Sequence, residues 1–81
     1  MEVLFYGRLA EAIGRKVAVE VPAEGCSVAD LRHRLAEKHP ALARDLTSDR
    51  VKACIGDTIV SDEFRVQPGA TVELFPPVSG G

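Results

Sequence analysis

Tryptophan is absent from the 81 residues, and the aromatic residues together make up only 5% of them. A protein that holds single strands by stacking bases on aromatic rings has little to work with here. Basic residues are not in excess either: ten Lys and Arg stand against twelve Asp and Glu, a formal net charge of −2. A binder of phosphate backbones needs the opposite balance, so nucleic acid is not an expected partner. No apolar run approaches the ~18 residues of a membrane-spanning helix, so no membrane partner is expected. The opening stretch, Met1 to Gly7, has neither a basic segment nor a long apolar one, which argues against a secretory leader. Cysteine is scarce as well. Cys26 and Cys54 lie far apart without a Cys-x-x-Cys motif and are read as two free structural thiols in a reducing cytoplasm. His33 and His39 lack partners at metal-ligand spacing and read as solvated helix residues, so no metal is expected. Asp57, Asp62 and Glu63 do not fit the twelve-residue calcium loop.

What is present is the pattern of one small globular domain. The chain is 46% hydrophobic and 27% charged, enough for a single core but not for a deep, self-contained active site. Val3-Leu4-Phe5-Tyr6, closed by Gly7, reads as a strand at least partly covered on both faces. Arg8 to Lys16 is a loop or a short turn of helix. Val17 to Val21 alternates, with 17, 19 and 21 on one face, until Pro22 stops it. These two strands predict a hairpin with a long, ordered turn. Ser27-Val28-Ala29-Asp30 is a capping box: Ser27 accepts from the Asp30 N–H and Asp30 reaches back. Val28, Leu31 and Leu35 then form one apolar stripe. Arg32, His33, Arg34, Glu37 and Lys38 are assigned to the polar face, and Pro40 ends the helix at His39. Leu42 and Leu46 fit a second short helical segment.

Val51 to Ile55 alternates with 51, 53 and 55 inward, Gly56-Asp57 is a turn, and Thr58-Ile59-Val60 is a short strand. Residues 61–70 read as a loop anchored by Phe64 and Val66, with a tight turn at Pro68-Gly69. Thr71 to Phe75 is the last strand, with 72 and 74 inward. This order predicts an α+β, two-layer domain. A β-grasp arrangement satisfies it: a mixed sheet, one main helix across one face, and the last strand parallel to the first in the middle. Val3, Phe5, Val17, Val19, Val72 and Leu74 are expected to face the helix. Leu4, Tyr6, Cys54 and Phe75 are expected on the open face with Ile59 nearby, and Tyr6 beside Phe75. Such an outward apolar cluster on a small domain predicts a partner site.

The end of the sequence is its most informative part. Pro76 and Pro77 have no N–H to give a ladder and favour an extended path, so the chain is expected to leave the sheet there. Val78, Ser79, Gly80 and Gly81 follow with little bulk. A single domain over 1–81 is therefore expected to carry residues 76–81 as an extended, mobile tail, reaching roughly 20 Å at ~3.3–3.6 Å per residue. A terminal carboxylate is a poor acyl donor until it is activated, for example as an acyl-adenylate. Glycine at the end removes Cβ from the narrow channel through which an activating or accepting site must reach that carbon.

These residues carry a resemblance over nearly the whole chain. Val-Leu-Phe-Tyr-Gly at the start, Ser27-Val28-Ala29-Asp30-Leu31 at the helix start, and above all Phe75-Pro76-Pro77-Val78-Ser79-Gly80-Gly81 resemble the small-subunit family of molybdopterin synthase, ubiquitin-like sulfur carriers. Two positions depart from the family pattern. Ala10 precedes Glu11 where an Arg is common, and Gly56 replaces a common Asn, a change that preserves the turn because both tolerate φ > 0. The resemblance implies that an E1-like enzyme uses ATP to adenylate Gly81. A persulfide donor then supplies sulfur to form a thiocarboxylate. The tail, Pro76 to Gly80, inserts into the large catalytic subunit, where the sulfur attacks cyclic pyranopterin monophosphate. It also implies that Tyr6, Ile59 and Phe75 contact both protein partners, that this chain is the non-catalytic subunit, that it binds no cofactor of its own, and that it assembles two-plus-two with the large subunit. Two alternatives share the tail: a sulfur carrier for thiamine or tRNA thiolation, and a ubiquitin-like modifier joined through Gly81 to target lysines.

Overall fold

The computed structural model describes residues 1–76. Five strands form the main sheet: β1 Glu2–Phe5, β2 Lys16–Ala18, β4 Lys52–Ile55, β5 Thr58–Val60 and β7 Thr71–Phe75. Their order across the sheet is β2-β1-β7-β4-β5. β7 is central and runs parallel to β1, with Val3 opposite Val72 and Phe5 opposite Leu74. The other pairings are antiparallel. The α+β class and the β-grasp arrangement are both present, including the return of the last strand beside the first.

Alternation decides what each strand buries. Val3, Phe5, Ala53, Val72 and Leu74 are at most 1% exposed, and all face the helix α2, Val28–Lys38. That helix presents Val28, Leu31 and Leu35, likewise at most 1% exposed. Ser27 caps it by accepting from the Asp30 N–H at 3.0 Å. The return half of the expected capping box is not formed. Asp30 accepts instead from Arg34 Nε at 2.7 Å, one turn further on, and the guanidinium beside it holds its carboxyl below the usual range. An ion pair with a guanidinium is a stronger claim on a carboxylate than a single backbone amide.

Four other expectations need correction. Arg8 to Lys16 is largely helix, α1 Gly7–Ile13, because Leu9 reaches the core and draws the segment onto it. The second strand pairs earlier than its alternation implied, over Lys16–Ala18, with the Val19 N–H donating to Met1 O at 2.9 Å; Val21 lies beyond it. The stretch 61–70 is not all loop. β6, Arg65–Val66, pairs antiparallel with β3, Cys26–Ser27, to make a second, two-stranded sheet. Of its two expected anchors Val66 is 1% exposed and Phe64 is 45% exposed, so Phe64 does not anchor through its ring. Its backbone does the work, with Phe64 O accepting from the Val28 N–H at 2.9 Å.

The fourth correction is the largest. Arg32 is not on the polar face; it is 5% exposed. Its Nε donates to Asp62 Oδ1 at 2.9 Å. Nη1 donates to Leu46 O at 3.1 Å and Ser48 O at 3.0 Å, and Nη2 donates to Val51 O. One guanidinium thus ties together the end of α3, Ala43–Leu46, the turn after it, the entry to β4 and the loop after β5. The 3-10 turn Pro40–Leu42 and α3 supply the expected short helical segment, with Leu46 fully buried. At the β4–β5 turn Gly56 has φ +61°, the conformation that Gly and Asn share.

Candidate functional site

The face of the sheet away from α2 is open, and the register places its residues in rows. Leu4, Glu73, Cys54 and Ile59 lie side by side across β1, β7, β4 and β5. Phe75 is opposite Lys52 in the next row. Tyr6 follows β1 and lies flat on Phe75, with ring centroids 4.5 Å apart and planes within 2°. Its hydroxyl donates to Glu73 Oε2, so one side chain spans two rows of the open face. That hydrogen bond is the main reason the Tyr6 hydroxyl titrates above its ordinary value; partial burial and the Glu73 charge add to it, and Arg15 opposes them.

Tyr6, Ile59 and Phe75 therefore share the open face. Ile59 is 66% exposed and Phe75 36%. Exposed large apolar side chains gathered on one side of a small domain are the feature a docking surface has. A groove of about 610 Å3 is lined by Phe75, Ile59 and Cys54 together with Asp49, Arg50 and Lys52. Pro76 lines it as well. The same proline borders a smaller cleft of about 240 Å3 toward the helices, lined by Leu9, Leu42 and Val51 among others. Its ring lies over Gly7, where a Cβ would stand 2.8 Å from Pro76 Cγ. Lacking an N–H, Pro76 gives no donor to either ladder of β7, and the strand ends at Phe75. Pro77, Val78, Ser79, Gly80 and Gly81 lie outside the described residues.

The cysteines are free: Cys26 is buried and Cys54 half-buried on the open face. Burial pushes the Cys54 thiol up, and the carboxylates of Glu73 and Asp57 push it further. Burial also raises Cys26. A thiol held protonated is a weak nucleophile, which fits a structural role. Two residues outside the expected site matter here, Glu73 and Arg32. Glu73 was legible as outward from its place between Val72 and Leu74. Arg32 was legible from its spacing, four residues after Val28, which puts it on the edge of the apolar stripe.

A mixed sheet whose last strand is central and parallel to its first, with one helix laid across it, defines a ubiquitin-like β-grasp domain. The model of the ThiS family matches residues 3–81, and the chain belongs to that family. It is similar to the molybdopterin synthase sulfur carrier subunit of Escherichia coli K12, 33% identical over 81 residues that cover 100% of this chain and 99% of that one. The subunit of the same name from Caenorhabditis briggsae is 33% identical over 87 residues, covering 100% and 96%. Among solved structures, SAMP1 of Haloferax volcanii overlays with a TM-score of 0.80 at 32% identity, covering 99% of this chain and 97% of that one. Among the described residues, no helix is long and apolar enough to cross a membrane.

Proposed function

We propose that this chain is the sulfur-carrier small subunit of a molybdopterin synthase, a non-catalytic partner whose reactive atom is placed on its own C-terminus. An E1-like activating enzyme, using ATP, adenylates the Gly81 carboxylate and releases pyrophosphate. The outer sulfur of a persulfide displaces AMP to give an acyl disulfide, and a second thiol attacks its inner sulfur, forming a disulfide and freeing the thiocarboxylate. The tail, Pro76 to Gly80, then enters the large catalytic subunit. There the sulfur attacks cyclic pyranopterin monophosphate toward the dithiolene, and hydrolysis of the acyl link restores the carboxylate. ATP and the pterin belong to the partners' sites, and this chain contributes its terminal residues and a docking face.

The observation that carries this reading is the position of β7. The central strand runs to Phe75 and passes to Pro76 in the lining of the groove, beside Tyr6 and Ile59. A partner that covers this face also stands where the tail departs. The full-length likeness to sulfur carrier subunits supports the same reading. Two prolines at the root of the tail stiffen it and reduce the entropy lost when it threads a channel. Intact-mass measurement tests the proposal. After incubation with the activating enzyme, ATP and a sulfur donor, Gly81 should gain the mass of one sulfur less one oxygen. No gain with an active enzyme removes it. Co-purification with the large synthase subunit separates this pathway from thiamine or tRNA thiolation.

A second reading has its own support. The 32% identity to SAMP1, a small archaeal modifier protein, favours a ubiquitin-like modifier. That role joins Gly81 to lysines, and a ladder on denaturing gels that depends on Gly81 would reveal it.

A further inference from the structure

Glu73 sits among Leu4, Cys54, Tyr6 and Phe75 on the open face, a carboxylate in the middle of an apolar patch. It is half-buried already in the lone chain. One oxygen, Oε2, accepts from the Tyr6 hydroxyl. Among the described residues no cation is paired with either oxygen. The lysines of this face are engaged elsewhere: Lys16 pairs with Glu2 at 3.6 Å, and Lys52 Nζ donates to Asp49 O at 3.0 Å. Arg15 is close enough to act on Tyr6 through its charge, but makes no ion pair with Glu73.

A partner that covers this face takes water away from Glu73. An ionised carboxylate that loses its water without gaining a partner costs far more than apolar contacts around it return. The Tyr6 hydroxyl is a neutral donor to one oxygen, leaving the charge and the Oε1 lone pairs unmet. The covering surface must supply a positively charged donor at that point. Resting on the reading of the open face as the docking face, we propose that Glu73 is its specificity-determining residue. It selects a large catalytic subunit whose apolar docking patch carries a lysine or arginine aimed at Glu73 Oε1. Tyr6 then has two tasks: its ring supports Phe75, and its hydroxyl holds the carboxylate in place to receive the cation.

The test measures binding of the full-length chain to the cognate large subunit by calorimetry at low and high salt. Glu73→Gln keeps the shape and an acceptor for Tyr6 while removing the charge. It should weaken binding by at least about tenfold, as loss of a desolvated charge pair does. Smaller losses, or tighter binding, overturn the proposal. Phe75→Ala is measured alongside. If Phe75→Ala weakens binding and Glu73→Gln does not, the charge-selection proposal alone fails. If neither variant weakens binding, the docking face has been misplaced and both readings fail. Charge reversal at the partner's facing cation, combined with Glu73→Lys, should recover binding that each single reversal loses, and absence of that recovery counts against the proposal.

Discussion

Two charged side chains flank the central sheet and are treated in opposite ways. On the helix side Arg32 is buried and its donors meet four acceptors: Asp62 and the carbonyls of Leu46, Ser48 and Val51. On the open side Glu73 is half-buried and receives one neutral hydroxyl. A charge whose partners are all supplied by the chain belongs to folding, since its desolvation is compensated when the chain closes. A charge left with an unmet oxygen in an apolar setting is completed by something outside the chain. The same division runs through neighbouring residues of β7, where Leu74 is fully buried and Phe75 is 36% exposed. One side of the sheet makes the body stable; under the proposed function, the other side and the tail serve partners.

The sharpest way to break this division is to delete Gly81. If the tail has no share in folding, the melting temperature should stay where it was. Thiocarboxylate formation, read by intact mass, and sulfur transfer should both be lost completely. A large fall in melting temperature would show that the tail belongs to the body after all. Next in size is Arg32→Ala. Removing the guanidinium leaves three carbonyls without their donor at the junction of α3 and β4, while Asp62, 47% exposed, returns to water. A buried acceptor left unmet costs about 1–3 kcal/mol, so three together are comparable with the whole net stability of ~3–5 kcal/mol typical of a core this small. Arg32→Ala should therefore be largely unfolded at room temperature by circular dichroism. A well-folded variant would mean that Arg32 is a passenger.

The adjacent pair on β7 sharpens the comparison further. Leu74→Ala opens a cavity in the core and should cost about 2–5 kcal/mol in a denaturant melt. Phe75→Ala removes an exposed ring and its stack on Tyr6, so it should cost about 0.5–1.5 kcal/mol of stability. Its effect on partner affinity should be larger, about 2 kcal/mol or more if Phe75 is an anchor of the interface. Equal effects on stability at the two positions would erase the difference between the faces.

The β-grasp architecture was legible because it rests on repeating signals. Period-two alternation in Val3–Phe5 and Val72–Leu74 and the stripe Val28, Leu31, Leu35 each specify one buried face, and these faces can meet in few ways. Where the signal was a single residue, the reading failed. Of the two expected anchors Val66 is buried and Phe64, though large and apolar, is not, and the two residues of pairing in β6 leave no periodicity to tell them apart. Arg32 was assigned by its charge, although its spacing from Val28 placed it on the core side; the carbonyls that receive it come from a turn far along the chain. The Tyr6–Phe75 contact was legible from parity once β1 and β7 were taken as parallel neighbours. The Tyr6–Glu73 hydrogen bond was not, because it is diagonal across the strands rather than between paired positions.

The smallest expected effect concerns that diagonal hydrogen bond. Tyr6 is the single tyrosine and tryptophan is absent, so phenolate absorbance reports this side chain alone. The hydrogen bond to Glu73, partial burial and the negative charge of that carboxylate raise its pKa above the ordinary tyrosine value. The folded chain should therefore titrate at higher pH than the same chain in denaturant. Because the folded value is the raised one, the stability contributed by the bound proton is fully present below the unfolded pKa and is lost as pH rises through the folded pKa. Alkaline melts of the native chain should lose stability across that window. Glu73→Gln keeps an acceptor but removes the charge, so it should shift the Tyr6 midpoint downward and flatten the alkaline loss. A Tyr6 midpoint at or below the denatured value would show that the hydroxyl does not hold Glu73, and the open face would then lack the brace that separates it from an ordinary solvated surface.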